Sequence, residues 1–270
     1  MFVRTARQEL GLLRMLLIGA LILLIPVALI TTTIRVAISE QAVYNYAVRN
    51  YGAEQASGIP QSELIKANGQ IRNYLVRPDA GPLAPKVTNS SGDTVSLFNA
   101  KETAHMADVR SLVQAMFSVQ VLSVAIVLTL AVIMIALWPT RALAAATLYG
   151  SVLTLAVLGL TAVAAMSGFD AAWAKFHGIA FSNDLWELDP RTDHLIQMFP
   201  EAFWQDAVTA IGGFIAMQAL AMGILSGLYL LVTRPRGGVV EPPEPRLLPD
   251  HDGQPRRPRL APPNPRNYVH

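Results

Sequence analysis

The sequence has no cysteine, which excludes a disulfide scaffold, a thiol nucleophile, a thiolate metal site and haem attached through cysteine. Charge is scarce. Only 15% of the 270 residues are Asp, Glu, Lys or Arg, against about 25% in an average soluble domain. With 52% apolar residues, this composition excludes a disordered chain and argues against a soluble one. Net charge is +2, so nothing in the bulk charge favours a nucleic-acid partner. There is no Gly-x-Ser-x-Gly elbow and no His-Glu-x-x-His zinc motif.

Long apolar runs are what the sequence has. Met15–Ile34, Val113–Trp138, Ala142–Met166 and Ala207–Thr233 contain no Asp, Glu, Lys, Arg or His. Each is long enough to cross a hydrocarbon core of about 30 Å as a helix. Only Pro139, Thr140 and Arg141 separate the second and third, so these form a hairpin. The first run exceeds a signal-peptide core and lacks a good cleavage site, so it is expected to be a retained anchor. Pro26 is expected to kink it. Ala219, Gly223 and Gly227 in the fourth run have the spacing of a close helix contact.

Orientation follows from the basic residues. The two ends and the 139–141 turn carry 11 basic and 5 acidic residues, and the other two connections carry 10 basic and 14 acidic. The segments predicted are a cytoplasmic N-terminus (1–14), spans at 15–34, 113–138, 142–166 and 207–233, a cytoplasmic turn at 139–141, extracytoplasmic loops at 35–112 and 167–206, and a cytoplasmic tail at 234–270. Ten of the 18 prolines fall in that tail, with seven arginines, a composition that predicts disorder. Its arginines are suited to rest on anionic lipid.

The first loop is too long to be a mere connection. Leu64, Ile65, Asn68, Ile71 and Leu75 follow helical spacing up to Pro78, predicting an amphipathic helix on the membrane surface. Lys86–Phe98 alternates around Asn89-Ser90-Ser91-Gly92, as in a β-hairpin. Asn99 with Glu102 reads as a capping box that starts a helix running into the second span. Glu102, His105 and Asp108 then share one face, with His105 about 12 Å above Val113 along the axis. The second loop is dense in aromatic and polar residues and contains three of the four tryptophans. This mixture suits a lid over a pocket at the bilayer surface. Arg191, Asp193 and His194 are expected in a solvated turn after Pro190.

Glu102-Thr-Ala-His105-Met-Ala-Asp108-Val109 resembles a motif of the lipoprotein intramolecular transacylase family of bacterial membrane proteins. So do Phe176-His177-Gly-Ile-Ala-Phe181-Ser-Asn183-Asp184-Leu-Trp186, Pro200-Glu201-Ala-Phe203 and, more weakly, Asn73-Tyr74-Leu75. The resemblance covers roughly residues 10–233 and leaves the tail outside. It implies transfer of an acyl chain from the glyceryl sn-2 ester of a diacylglyceryl lipoprotein to the α-amino group of its lipidated N-terminal cysteine. It maps the family's paired histidines onto His105 and His177. His194 after Asp193 departs from the family pattern.

The chemistry fits. An α-amine with a pKa near 8 is largely protonated at neutral pH, so its attack on an ester needs a base, and the departing alkoxide needs an acid. Histidine can supply either. His105 and His177 are the candidate catalytic residues, without metal or cofactor. Asp108 is expected to orient His105, and Asn183 to donate to the developing oxyanion. Asp184, Trp186 and Glu201 are expected to bind or orient the substrate. The overall expectation is an all-α integral membrane protein of four transmembrane helices with two extracytoplasmic loops carrying the site. Its partners are a diacylglyceryl-modified lipoprotein and membrane lipid; the oligomeric state is left open. The competing readings are a non-catalytic four-helix scaffold and a lipid-directed hydrolase, with or without zinc. A transporter fits poorly, because no ionisable residue lies inside a span.

Overall fold

A computed structural model describes residues 2–165 and 168–234, with side chains over 11–163 and 168–234. Nine helices and two strands follow in order among these residues: α1 (Phe2–Ser39), α2 (Gln41–Asn50), α3 (Ala53–Ser57), α4 (Gln61–Val76), β1 (Lys86–Thr88), β2 (Thr94–Ser96), α5 (Ala100–Leu137), α6 (Thr140–Ala165), α7 (Phe169–Ala180), α8 (His194–Met198) and α9 (Glu201–Val232). The helices α1, α5, α6 and α9 each contain a long apolar segment able to cross a membrane. All exceed about 20 residues, so their ends project beyond the hydrocarbon. Pro26 lies inside α1, which continues through it. The predicted tail from residue 235 onward lies outside the described residues.

The four long helices run alternately up and down. α1 packs against α5, α6 and α9, and α6 against α9. Between lipid-facing helices the driving force is close packing and hydrogen bonding, since lipid is as apolar as leucine. Gly150 on α6 illustrates the first: an added Cβ would lie 2.7 Å from the Ile25 side chain of α1. Gly223 of α9 packs on α6, where an added Cβ would touch Ser151 at 3.4 Å, and Ala219 one turn earlier is fully buried. Gly227 faces open space instead, so the predicted small-residue stripe is a contact over two positions, not three. Gln120 of α5 donates to Thr32 of α1 at 3.2 Å, and Gln218 of α9 donates to Thr33 at 2.9 Å. The Arg35 guanidinium donates to Gln120 at 2.8 Å and stacks over Phe117. Elsewhere the bundle turns leucine, valine and isoleucine outward, including Leu122, Leu160 and Leu225.

The two long connections meet at one end of this bundle. Residues 40–98 fold around a core of Tyr44, Val48, Ile59, Leu64, Ile71, Leu97 and Phe98. The apolar stripe of α4 enters this core. The expectation of a membrane-surface helix is corrected accordingly: the stripe is satisfied by protein. Asn68, fully buried in that stripe, donates to the Tyr44 carbonyl at 2.8 Å. β1 and β2 pair antiparallel, with Val87 opposite Val95. Their turn closes through the Asn89 side chain, which accepts from the Ser91 and Asp93 amides. Gly92 there has φ +89°, a conformation only glycine adopts freely. Leu195, Met198, Phe199 and Phe203 complete the same core from the second connection. The loops are thus one packed unit.

Candidate active site

α5 begins at the reciprocal cap anticipated from its sequence. The Asn99 carboxamide oxygen accepts from the Glu102 amide at 2.9 Å, and a Glu102 carboxylate oxygen accepts from the Asn99 amide at 2.8 Å. The other Glu102 oxygen accepts from the Leu195 amide at 2.6 Å, at the start of α8. Asn99 also donates to Asp193 at 2.8 Å, and Asp193 accepts from the Asp189 amide at 2.8 Å. One network therefore caps two helices and fixes the second connection on the head of α5. Glu102 is fully buried. Burial pushes its carboxyl up, against the two amide donors that pull it down. Asp193 is also buried. The expected solvated turn is therefore corrected: Arg191 and Thr192 are exposed, but Asp193 is a structural acceptor.

One turn beyond Glu102, His105 points into the space between the connections. It is 7% exposed, and its Nδ1 has no hydrogen-bond partner among the described residues. His177 comes from α7, is equally buried, and faces it with ring centroids 6.2 Å apart. His177 Nδ1 lies 2.8 Å from the Trp173 carbonyl, one turn earlier. A carbonyl only accepts, so Nδ1 carries the proton and Nε2 holds the lone pair in the neutral ring. Burial, followed by the charge of His177, pushes His105 down to about 4, with Asp108 opposing. Burial also pushes His177 down, while the Trp173 carbonyl pulls it up. His105 lies eight residues before the charge-free run that begins at Val113, and His177 lies between the third and fourth such runs.

Aromatic rings enclose the pair. Trp186 stacks on His177 at 4.9 Å, and Trp173 approaches it edgewise at 4.7 Å. Phe181 touches both histidines, at 5.3 Å from His105 and 5.6 Å from His177. Trp204 of α9 stacks on Trp173 at 5.1 Å. Asn183 donates to Asp108 at 2.9 Å, and its oxygen accepts from the Leu185 amide at 3.1 Å. One amide hydrogen of Asn183 is left uncommitted.

Of the residues singled out in the sequence, His105, His177 and Trp186 come together, and Asp108 and Asn183 meet each other. Asp108 was expected to orient His105, but its described bond is to Asn183; at an i, i+3 offset it acts on His105 through space. Asp184 is exposed and offers its carbonyl to the Glu187 amide. Glu201 is exposed beside Asp170, whose carboxyl pushes it up. No described contact links either to the histidine pair. Sequence reasoning passed over Trp173 and Phe181 as site residues. Trp173 had a visible signal, one helical turn before His177; Phe181 stands in the quoted motif four residues after His177, but its contact with His105 comes from the other connection. Among the described residues no three His, Asp or Glu side chains gather as a metal site.

Four long apolar helices, packed with small residues and hydrogen bonds and otherwise covered in aliphatic side chains, define a multi-pass integral membrane protein. The family model of the lipoprotein intramolecular transacylase Lit matches residues 19–204. The chain belongs to that family, and it is an acyltransferase. The membrane-integral lipoprotein intramolecular transacylase Lit from Bacillus cereus has the same fold: TM-score 0.71 at 19% identity, over 82% of this chain and 97% of that one. A structure of the same protein with one histidine replaced by arginine gives 0.67 at 19% identity, over 85% and 96%. One with a histidine replaced by alanine gives 0.68 at 18% identity, over 84% and 97%. No curated protein sequence matches the chain.

Proposed function

We propose that the protein moves an acyl chain from the glyceryl sn-2 ester of a diacylglyceryl-modified lipoprotein to the α-amino group of its lipidated N-terminal cysteine, with His105 and His177 as the acid–base pair. The observation that carries this is the pair itself: two buried imidazoles, one from each connection, with ring centroids 6.2 Å apart, in a chain of a transacylase family. The charge split between the connections supports both termini in the cytoplasm and the pair at the outer face.

In this reading the amine nitrogen attacks the ester carbonyl. His177 takes a proton from it through Nε2, since the Trp173 carbonyl already holds the Nδ1 hydrogen. The resulting imidazolium lies against the face of Trp186, where ring π-density favours a cation. Two imidazolium rings this close repel, so the pair carries one proton at a time. That proton passes to the glyceryl oxygen as the C–O bond breaks, leaving an amide and a free hydroxyl. The uncommitted Asn183 hydrogen donates to the oxyanion, with Asp108 holding the amide in place. No enzyme nucleophile is required, because donor and acceptor belong to one molecule and proximity replaces a covalent intermediate.

The test is conversion of a diacylglyceryl lipopeptide with a free α-amine into its N-acylated, monoacylglyceryl isomer. The mass is unchanged, so fragmentation reports the shift. Blocking the amine should stop the reaction. Release of free fatty acid instead would identify a hydrolase, and sensitivity to chelators would identify the zinc-assisted form of it. Reporter fusions within 86–93 and at the C-terminus test the topology; an external C-terminus would put the pair on the wrong side.

A further inference from the structure

α7 has three distinct sides. Phe169, Ala172, Phe176 and Ile179 recur at three- and four-residue steps and form one stripe. Phe176, with one edge against Trp173 and His177, is 45% exposed, and Ile179 is 82% exposed, so the outer half of that stripe is largely uncovered. Trp173 and His177 form the second side, turned inward to Trp204 and Trp186. Ala171, Ala174 and Gly178, all exposed, form the third, with exposed Lys175 at its border with the stripe. An apolar stripe, a side of small residues bordered by a lysine, and tryptophans between them is the construction of a helix lying in the plane of a bilayer interface.

We propose that α7 is such a helix: its Phe169–Ala172–Phe176–Ile179 stripe rests among lipid chains at the acyl–glycerol boundary and holds His177 at the depth of lipid esters. The surface is continuous with one that already faces lipid, because α6, which leads into α7, exposes Leu160 and Val163 near its end. Lys175 borders the stripe one turn before Ile179, where its stem covers apolar surface while its ammonium reaches headgroup phosphates. The link to catalysis rests on the proposed ester-to-amine transfer; the depth of the helix does not. A diacylglyceryl group then reaches His177 by sliding within the leaflet along α7, without lifting its chains into water.

The lack of native cysteine makes the test direct. Ile179→Cys and Ala174→Cys, the latter at an exposed position on the opposite side of the helix, are each made in the full chain, nitroxide-labelled and reconstituted into phosphatidylethanolamine–phosphatidylglycerol liposomes. Collisions with oxygen should outnumber those with a water-soluble nickel chelate at position 179, and the order should reverse at 174. Equal exposure of both positions to the chelate would overturn the proposal. So would spin–spin broadening at 179 that vanishes on dilution with unlabelled protein, which would assign the stripe to a second copy of the chain. A second arm reads function. Ile179→Asp should slow transfer in liposomes on the order of tenfold, the scale of placing a charge in the interface, and leave transfer on a short-chain lipopeptide in mixed micelles nearly unchanged. Equal loss in both media would overturn the link between depth and catalysis. The labelling arm needs no turnover, so it reads depth even if the transfer reaction itself is refuted.

Discussion

The two histidines sit on foundations of different kinds. His105 follows the cap of α5, which is tied by Glu102 and Asn99 to the head of α8 and so to the packed core of Leu64, Ile71, Met198 and Phe203. His177 sits on a short helix held by the stacking of its own ring on Trp186 and of Trp173 on Trp204, with an apolar edge that is largely uncovered. A core of interlocking aliphatic side chains fixes position to a fraction of an ångström and tolerates little change. Flat rings slide on one another at small cost and supply π-faces that accept a cation. The site combines a fixed imidazole with an adaptable one, and the difference should be visible in how each side responds to substitution.

The largest effect is expected where the two sides meet. His105→Ala and His177→Ala should each lower the transfer rate by about 10²–10⁴, the usual scale of general acid–base catalysis. The double variant should be little worse than the slower single one, because residues that work as a unit are non-additive. Multiplying losses would show two independent roles and break the pairing.

Next comes the packed side. Ile71→Ala should destabilise the loop unit by about 2–5 kcal/mol, the cost of a core truncation, read as a lower Tm or urea midpoint. The molecules that remain folded should react at the normal rate. Trp186→Ala makes the contrast: it should slow transfer roughly fivefold, the loss of about 1 kcal/mol of cation stabilisation, with little change in Tm. If the two variants exchange their signatures, the distinction between foundation and shelf is wrong.

A smaller, pH-dependent effect separates His105 from its surroundings. Its pKa is lowered in the folded protein, to about 4, so folding favours the neutral ring. Its contribution to stability is complete above the unfolded value near 6.5 and is lost as pH falls through the folded value. Tm should therefore decline from pH 6.5 toward pH 4, and His105→Ala should flatten that decline. By the same shift the neutral pair persists below pH 6.5, so the acid limb of the rate profile should lie below the ordinary histidine value. A limb at 6.5 would mean that the pair is hydrated in the working enzyme. The smallest effect is expected from removing residues after Arg236: proline-rich sequence packs no core, so activity and insertion should be retained. Loss of transfer by purified truncated protein would make the tail part of the site.

The spans, the hairpin between β1 and β2, and the cap of α5 were legible because each is a local pattern. A charge-free run, an alternation broken by Asn89 to Gly92, and an asparagine three residues before a glutamate all act within one element. The same local logic misplaced α4: its stripe was visible, but a stripe says only that something apolar covers it, and here the cover is α2, α5 and β1 rather than lipid. Gly227 failed in the same way, since small-residue spacing allows contact but does not supply a partner.

From the sequence alone came the membrane class, the start of α5 at its cap, and, through the quoted motifs, the family. Tertiary structure alone decided which side chains meet. Asn99 reaches Asp193 across 94 residues and Asn183 reaches Asp108 across 75. No short-range propensity fixes such pairings, because they depend on how the four long helices bring their connections to one end. Burial was decided there too. Glu102 reads as a surface charge in its own helix, yet it is fully enclosed, because the amide that needs it, that of Leu195, arrives from the other connection.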